Sequence, residues 1–146
     1  SEKYEGSENF ETMSGEAIAK AAEQHKDWSK LVVFDEKATV IHASYKADPE
    51  ELKEFLPAFK ERGPTLGKGL TLAKEHYDIH RWSYNPCVTY GRRGKPGNMQ
   101  GICLHKFTNE KTKKDLYAVI TFGGDATTAR MVPQLVEFCA KHVATV

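Results

Sequence analysis

The spacing of hydrophobic residues changes several times along this chain, and each change marks a new helix or strand. Near the start, Ile18, Ala21 and Ala22 recur at helical spacing, and Ser14 stands before them as a residue type that caps helices. This pattern predicts a first helix that begins at about Ser14 and ends at about Lys26.

A β-hairpin is predicted after this helix, because two short runs of β-favouring residues flank a turn. The runs cover residues 31–34 and 39–43, and Asp35, Glu36 and Lys37 lie between them. Two antiparallel strands are therefore expected near the beginning of the domain.

A short second helix is predicted from Asp48. Asp48 is a capping residue type, and Pro49 is tolerated at the first helical position because its missing N–H is not needed there. Pro57 disturbs the last turn of this helix and keeps it short. Its apolar face consists of Leu52, Phe55, Leu56 and Phe59. Four turn residues, Gly63, Pro64, Gly67 and Gly69, then predict a broken connection.

The second half of the chain is dominated by short β-favouring runs joined by brief turns, which predicts an antiparallel meander. The predicted strands cover residues 70–72, 77–82, 87–90, 102–107 and 116–122. The basic, glycine-rich loop within this region is expected to present Arg92, Arg93 and Lys95 to solvent.

A last helix is predicted after Thr127 or Thr128, either of which can serve as its cap, and Pro133 lies early enough to be tolerated. Five residues share one side of this helix: Met131, Leu135, Phe138, Cys139 and His142. The whole pattern indicates an α+β fold with a central antiparallel β-sheet of about six or seven strands. The N- and C-terminal helices are expected to pack on one face of the sheet, with a short helix elsewhere.

The length of 146 residues suits one domain. Residues 1–12 are acidic and contain only Tyr4 and Phe10 as sizeable apolar groups, so we expect a flexible N-terminal extension. Residues 13–146 are expected to form the domain.

Charge and cysteine content exclude several classes of protein. The formal net charge is +1, which argues against a nucleic-acid binder that depends on a strongly basic field. The three cysteines are widely spaced, so a disulfide framework is not indicated and a reduced compartment is favoured. No apolar run is long enough to cross a membrane or to act as a secretory signal. We therefore expect a cytoplasmic protein.

Three segments resemble the profilin family. Residues 69–72, GLTL, followed by Tyr77, are similar to the family's Gly-Leu-x-Leu-Gly-Gly-x-Lys-Tyr segment. Residues 88–94, VTYGRRG, resemble its strand and basic turn, and residues 100–106 resemble the Gly-Ile-x-Ile-x-Lys strand that follows. With the terminal helices in the same order, the resemblance covers roughly residues 13–146.

The chain also departs from the family pattern. Ala73 and Lys74 replace family glycines, and Gly15 and Ile18 stand where most profilins have a tryptophan and a tyrosine on the first helix. The tryptophan of this region, Trp28, lies near the end of the predicted helix and not at its start. This divergence, together with the N-terminal extension, resembles the profilins of Asgard archaea.

The resemblance implies binding of monomeric actin and regulation of its polymerisation, by sequestering or delivering monomers and by promoting nucleotide exchange. It assigns this role to one face of the later strands and to the last helix. The corresponding residues are His76, Asp78, Ile79, Arg81, Arg93, Arg130, Gln134 and Glu137. The simpler alternative for any one of them is an ordinary solvated position on a sheet.

The family also binds proline-rich peptides in a groove between the terminal helices. In this chain the groove would be lined by Ile18, Trp28, Phe138 and His142. Because the stacking aromatics are depleted, we expect weak binding, modulated by Tyr4 and Phe10 of the extension. Trp28 and Phe138 could equally be ordinary core or boundary residues.

Clustered cations could bind phosphoinositide headgroups. The candidates are Arg92, Arg93, Lys95 and Lys106, with Lys111, Lys113 and Lys114 following in the sequence. The simpler alternative is a solubilising turn that discourages aggregation at a strand edge.

An enzyme is not indicated. His76 and His80, or Cys103 and His105 with Cys87, could be imagined as zinc ligands, but such spacings are common in sheets and on surfaces. No pattern places a nucleophile, a base and oxyanion donors together, and the glycine-rich loop lacks a phosphate-binding signature. No cofactor or metal is therefore expected. The rival hypothesis is a small sensor or scaffold domain that binds a ligand or protein through its sheet.

Overall fold

The structure is a computed structural model, and it describes residues 15–146. The predictions for Ser14 as a cap and for the extension with Tyr4 and Phe10 lie outside the described residues. In chain order the elements are α1 (15–22), β1 (Trp28–Asp35), β2 (Val40–Ala43), α2 (Pro49–Lys53), α3 (Arg62–Lys68), β3 (Leu70–Leu72), β4 (Glu75–Tyr84), β5 (Cys87–Arg93), β6 (Gln100–Thr108), β7 (Asp115–Phe122) and α4 (Thr128–Phe138). A π-helical turn, Cys139–Val143, continues α4.

The seven strands form one antiparallel sheet in the order β2-β1-β7-β6-β5-β4-β3. Neighbours in the sheet are also neighbours in the chain except where β1 pairs with β7. That pairing closes the meander against the first hairpin, so the predicted α+β fold with an antiparallel sheet is confirmed.

Both faces of the sheet are covered, so the protein has two cores. In β7, Ala118 and Ile120 face the first core, which contains Ile18 of α1 and Leu135 of α4. The intervening Val119 faces the second core with the α2 region. The prediction that the terminal helices pack on one face is therefore confirmed. Covering both faces explains why β7 is a nearly continuous apolar run, since neither side chain direction meets water.

The short second helix begins as predicted. The Asp48 carboxylate accepts a hydrogen bond from the Glu50 N–H at 3.0 Å, and Pro49 occupies the first helical position. The helix ends at Lys53, and irregular turns then bury Phe55 and Phe59 in the second core.

Two sequence-based predictions for the first half of the chain are wrong. The first helix ends at residue 22 rather than near Lys26, because the chain turns there: the Trp28 N–H donates to the His25 carbonyl at 3.2 Å and β1 starts. The glycine-rich segment before β3 is the helix α3 rather than a broken connection. Its side-chain anchor is Thr65, whose hydroxyl donates to the Ala58 carbonyl at 2.6 Å. Pro64 lies in the first turn, where backbone N–H groups need no helical partner.

The last helix has the predicted cap but a different end. The Thr127 hydroxyl accepts from the Arg130 N–H at 3.3 Å. The prediction that His142 shares the buried side is wrong: His142 is exposed and Val143 is buried. The wider π-helical turn, in which the Ala144 N–H reaches the Cys139 carbonyl at 2.7 Å, shifts the buried position by one residue.

Gly101 on β6 provides a test of this packing. A Cβ at this position would overlap the ring of Phe122 on β7, which is 1% exposed. We expect Gly101→Ala to lower the free energy of unfolding by about 1–3 kcal/mol through overpacking. Urea unfolding followed by circular dichroism measures this value.

Gly67→Ala is the matched control. Gly67 lies in α3 and a Cβ there would meet no atom within 4 Å. The exchange should stabilise the protein by about 0.5–1 kcal/mol through helix propensity. Equal unfolding midpoints for the two variants would contradict this account of the Phe122 contact.

Candidate functional site

One side of β4 is exposed, and it lies on the same face of the sheet as α4: Asp78 is the register partner of Arg92, which contacts Thr128 of α4. Tyr77 and Ile79 point into the second core, whereas His76 and Asp78 point to the opposite face and are exposed. A bulge between Ile79 and Arg81 inserts one extra residue, after which Arg81 lies on the exposed face. Ile79 is only 6% exposed, so its predicted contact role is wrong: the alternation of the strand turns it inward.

Apolar residues adjoin these charged side chains. Tyr90 on β5 is the register partner of Arg81. Tyr90, Val132 and Val136 are half-buried and pack against the first core. We refer to Asp78, Arg81, Tyr90, Val132 and Val136 as the β4–α4 face. Its three apolar members were not predicted, although Val132 and Val136 are four residues apart, which places them on one side of a helix.

Arg92 joins the sheet to the start of α4. Its Nη2 atom donates to the Thr128 hydroxyl at 3.2 Å, and both side chains are partly buried. Arg92 is therefore committed to an internal contact at the border of the β4–α4 face. The prediction that it projects freely into solvent is wrong, because it belongs to β5 and not to the loop.

The remaining α4 candidates lie on the α1 side of the helix. Arg130 forms an ion pair with Asp27 of the α1–β1 turn, with 2.7 Å between Nη2 and Oδ2. Glu137 pairs with Lys141 at 2.6 Å, and this contact lowers the pKa of the Glu137 carboxyl. Gln134 lies between them in the helix and is half-buried. The residues assigned to actin thus form two groups rather than one.

Arg93 points to the opposite side of the sheet from Arg92. Its Nη1 atom contacts Glu75 at 2.8 Å and the Gln100 amide oxygen at 3.1 Å, and its guanidinium lies 5.8 Å from the centre of the Tyr77 ring. Glu75 also lies 3.9 Å from Lys30 of β1. Arg93 is therefore part of a polar cluster on the side of the second core. Its predicted place on the loop that adjoins the β4 candidates is wrong, because it lies in β5.

The four cations proposed for phosphoinositides do not form one cluster. Lys95 is exposed in the loop, whereas Arg92 and Arg93 point to opposite faces. Lys106 lies six residues along β6 from Gln100, which corresponds to roughly 20 Å. It contacts Asp115 at 3.7 Å and the Tyr117 ring at 6.0 Å. One headgroup cannot span this distance.

An aromatic cluster forms where the α1–β1 turn meets the end of α4. The His25 and Trp28 rings stack at 4.1 Å, and Trp28 meets Phe138 edge to face at 5.1 Å. Phe138 also lies 5.4 Å from His142. We call these four residues the aromatic cluster. His25 was missed because its turn position carried no pattern.

Only part of this cluster is accessible. Phe138 is 2% exposed, so it packs against the other rings from the protein interior and offers almost no surface to a ligand. The Trp28 indole N–H is buried and has no acceptor among the described residues. Ile18 is 1% exposed and lines a separate cavity with Ile41, so it offers almost no surface to the predicted groove.

The histidines and cysteines considered as metal ligands are dispersed. His76 contacts the Lys68 carbonyl at 2.9 Å, and His105 contacts the Cys87 carbonyl at 2.8 Å. Burial lowers the pKa of His105 and raises that of the Cys103 thiol. Within residues 15–146, three or more His, Cys, Asp or Glu side chains do not converge on a common point.

None of the helices in residues 15–146 combines the length and the apolar composition that a membrane-spanning helix requires.

Comparison with solved structures identifies the fold. The chain is similar to Schizosaccharomyces pombe profilin, with a TM-score of 0.65, 16% identity and coverage of 86% of this chain and 95% of that one. Acanthamoeba castellanii profilin IA gives a TM-score of 0.63, 15% identity and coverage of 85% and 94%. LokiProfilin1, solved as a complex with rabbit actin, gives 0.60, 13% identity and coverage of 97% and 94%.

These similarities are structural rather than sequence-based. Neither the protein-family models nor the curated protein sequences include a match to the chain. At identities of 13–16%, the comparisons establish that the chain has the profilin fold.

Proposed function

We propose that this chain, which has the profilin fold, binds monomeric actin through the β4–α4 face. The observation that carries the proposal is the half-buried apolar group of Tyr90, Val132 and Val136 beside the exposed Asp78 and Arg81. An apolar centre with a charged rim is the usual composition of a reversible protein interface. The likeness to LokiProfilin1, whose structure is a complex with rabbit actin, supports this choice of partner.

The proposed activity needs no covalent chemistry. A protein that holds one face of an actin monomer can sequester the monomer or deliver it to a filament end. It promotes nucleotide exchange only if it binds more tightly to the actin conformation with the looser nucleotide cleft, because a ligand shifts an equilibrium by its differential affinity. We therefore propose a regulator of actin polymerisation that is not an enzyme and acts in the cytoplasm beside the cytoskeleton.

Charge reversal on the face tests the actin proposal. We expect Arg81→Glu to weaken binding to monomeric actin about tenfold, or ~1.4 kcal/mol, because it inverts an exposed charge at the rim. Arg130→Glu should have a smaller direct effect, since Arg130 is already paired with Asp27. Tyr90→Ala should weaken binding by at least about tenfold through loss of a central aromatic contact. Isothermal titration calorimetry measures each affinity.

Arg62→Glu is the matched control for Arg81→Glu, because Arg62 is an exposed arginine on α3, away from the proposed face. Circular dichroism should show that all variants are folded. The proposal fails if Arg81→Glu and Tyr90→Ala bind actin as the unmodified chain does. A pyrene-actin assay provides the functional readout, as a shift in the critical concentration.

We further propose weak binding of proline-rich peptides at the aromatic cluster. The accessible parts of His25, Trp28 and His142 offer ring surface, but Phe138 and Ile18 are buried and leave a small platform for an extended ligand. Residues 1–12, with Tyr4 and Phe10, are proposed to restrict access to it. We also propose that the chain is related to the profilins of Asgard archaea, because its first helix is divergent and an N-terminal extension precedes it.

A polyproline titration tests the second site. Trp28 amide and indole resonances should shift on peptide addition, and deletion of residues 1–12 should increase the affinity because the segment proposed to restrict access is removed. Trp28→Leu should abolish the response, whereas Trp82→Leu, on the α2 side, should retain it. Equal responses of the full-length and truncated chains would remove the role of the extension.

Anionic phosphoinositides remain a third proposed partner, restricted to the loop around Lys95. We expect salt-sensitive retention on phosphoinositide vesicles, reduced by Lys95→Glu because the loop would lose its exposed cation. Lys106→Glu is the control, since Lys106 lies roughly 20 Å away along β6. Equal losses for both variants would show a general charge effect, and no retention would exclude lipid binding.

The rival function is a small sensor or scaffold. The cavity of about 220 Å³ lined by Ile18 and Ile41 is the observation that favours it. A small molecule retained through purification would support this alternative. An altered actin critical concentration would support the profilin-like function instead.

A further inference from the structure

A cavity opens where α1, β2, the β6–β7 turn and the end of α4 meet. It has a volume of about 220 Å³. Its wall is mainly aliphatic, with Ile18, Ile41 and Val143 among the lining residues, and Asp35 and Lys114 stand at its polar edge. An apolar cavity of ~150 Å³ is large enough to hold a benzene ring. This cavity therefore suits one aromatic side chain.

The chain enters the described part of the molecule beside this cavity. Gly15 lies against β2, since a Cβ on Gly15 would be 3.0 Å from the Ile41 carbonyl oxygen. Ile18, one helical turn later, and Ile41 itself both line the cavity. The described part of the chain therefore starts next to an aliphatic opening.

We propose that Phe10, from the segment that precedes Gly15, inserts its ring into this cavity. Five residues of extended chain span up to about 17 Å, whereas Ile18 lies only about 4.5 Å along the helix from Gly15. Phe10 can therefore fold back without strain. Tyr4 is a poorer candidate, because its longer loop costs more entropy and its hydroxyl would need a partner inside an aliphatic wall.

Charge favours the same arrangement. Residues 1–14 contain four glutamates and one lysine. The lysines of the two turns beside the cavity have no described carboxylate within ion-pair distance, although Glu36 and Glu110 also lie in these turns. They are Lys37, Lys111, Lys113 and Lys114. The glutamates that flank Phe10 would approach these cations.

The Asp35 and Asn109 side chains at the edge are already engaged. The Asp35 carboxylate accepts from the Lys37 and Thr39 N–H groups at 2.8 and 2.9 Å. Asn109 Oδ1 accepts from the Lys111 N–H at 2.9 Å. A ring can therefore enter the cavity without removing water from an unpaired hydrogen-bond acceptor on either of these side chains. The cavity and the aromatic cluster have no lining residue in common, so this placement assigns Phe10 to the cavity and leaves Tyr4 to restrict access to the aromatic cluster.

Nuclear Overhauser contacts in the full-length chain test the proposal. With ring-labelled phenylalanine and methyl-labelled isoleucine and valine, Phe10 should show contacts to the methyl groups of Ile18, Ile41 and Val143. Phe10→Ala should abolish these contacts and move the methyl resonances by loss of the ring current. Tyr4→Ala, the matched control, should leave both unchanged.

A second variant blocks the cavity without changing the segment. Thr112 is exposed at the lining, so Thr112→Trp should fold normally and displace Phe10, which removes the contacts from the Phe10 ring to the methyl groups. Phe10 contacts to Trp28 or Phe138 would overturn the proposal and place the ring at the aromatic cluster. Absence of contacts together with identical methyl spectra in the Phe10→Ala variant would overturn it as well.

Discussion

The structure depends on a sheet that is covered on both faces. Each central strand must supply apolar side chains in both directions. Six of the eight residues of β7 do so, and β6 supplies Ile102, Cys103, Leu104 and Phe107. Burial of this area is the dominant stabilising contribution, since apolar surface contributes about 25 cal/mol per Å² removed from water. Strand β4 pairs on its outer side only with the short strand β3. One face of β4 is largely exposed and can carry charged residues.

The candidate binding face follows from this constraint. β4 must keep Tyr77 and Ile79 in the second core, so polar residues can occupy only the alternate positions. The bulge before Arg81 preserves the inward direction of Trp82, whose indole N–H donates to the Ala58 carbonyl at 2.8 Å. The charged positions of β4 are thus those that the core leaves available, and α4 supplies apolar surface on the same face of the sheet.

Local patterns predicted the strands, the Asp48 cap and the covering helices, because these depend on residues close in sequence. The wrong predictions concern segments whose structure is determined by contacts between residues far apart in the sequence. The Thr65 anchor to Ala58 makes α3 possible despite its glycines, and no local spacing reveals it. Strand direction alone could have separated Arg92 from Arg93, since adjacent side chains point to opposite faces. The partners that hold them, Thr128 and Glu75, required the structure.

Helix α4 contributes to both proposed protein-binding sites, but it need not couple them strongly. The two sites are linked by the ion pair between Arg130 and Asp27, and Asp27 immediately precedes Trp28 in the chain. About half of each side chain is exposed, at 51% and 54%, and exposed ion pairs typically contribute about 0–1 kcal/mol. A partner that displaced Asp27 from Arg130 could change affinity at the aromatic cluster by no more than this amount, because coupling is reciprocal and limited by the interaction exchanged. Two ligands could therefore occupy the chain nearly independently.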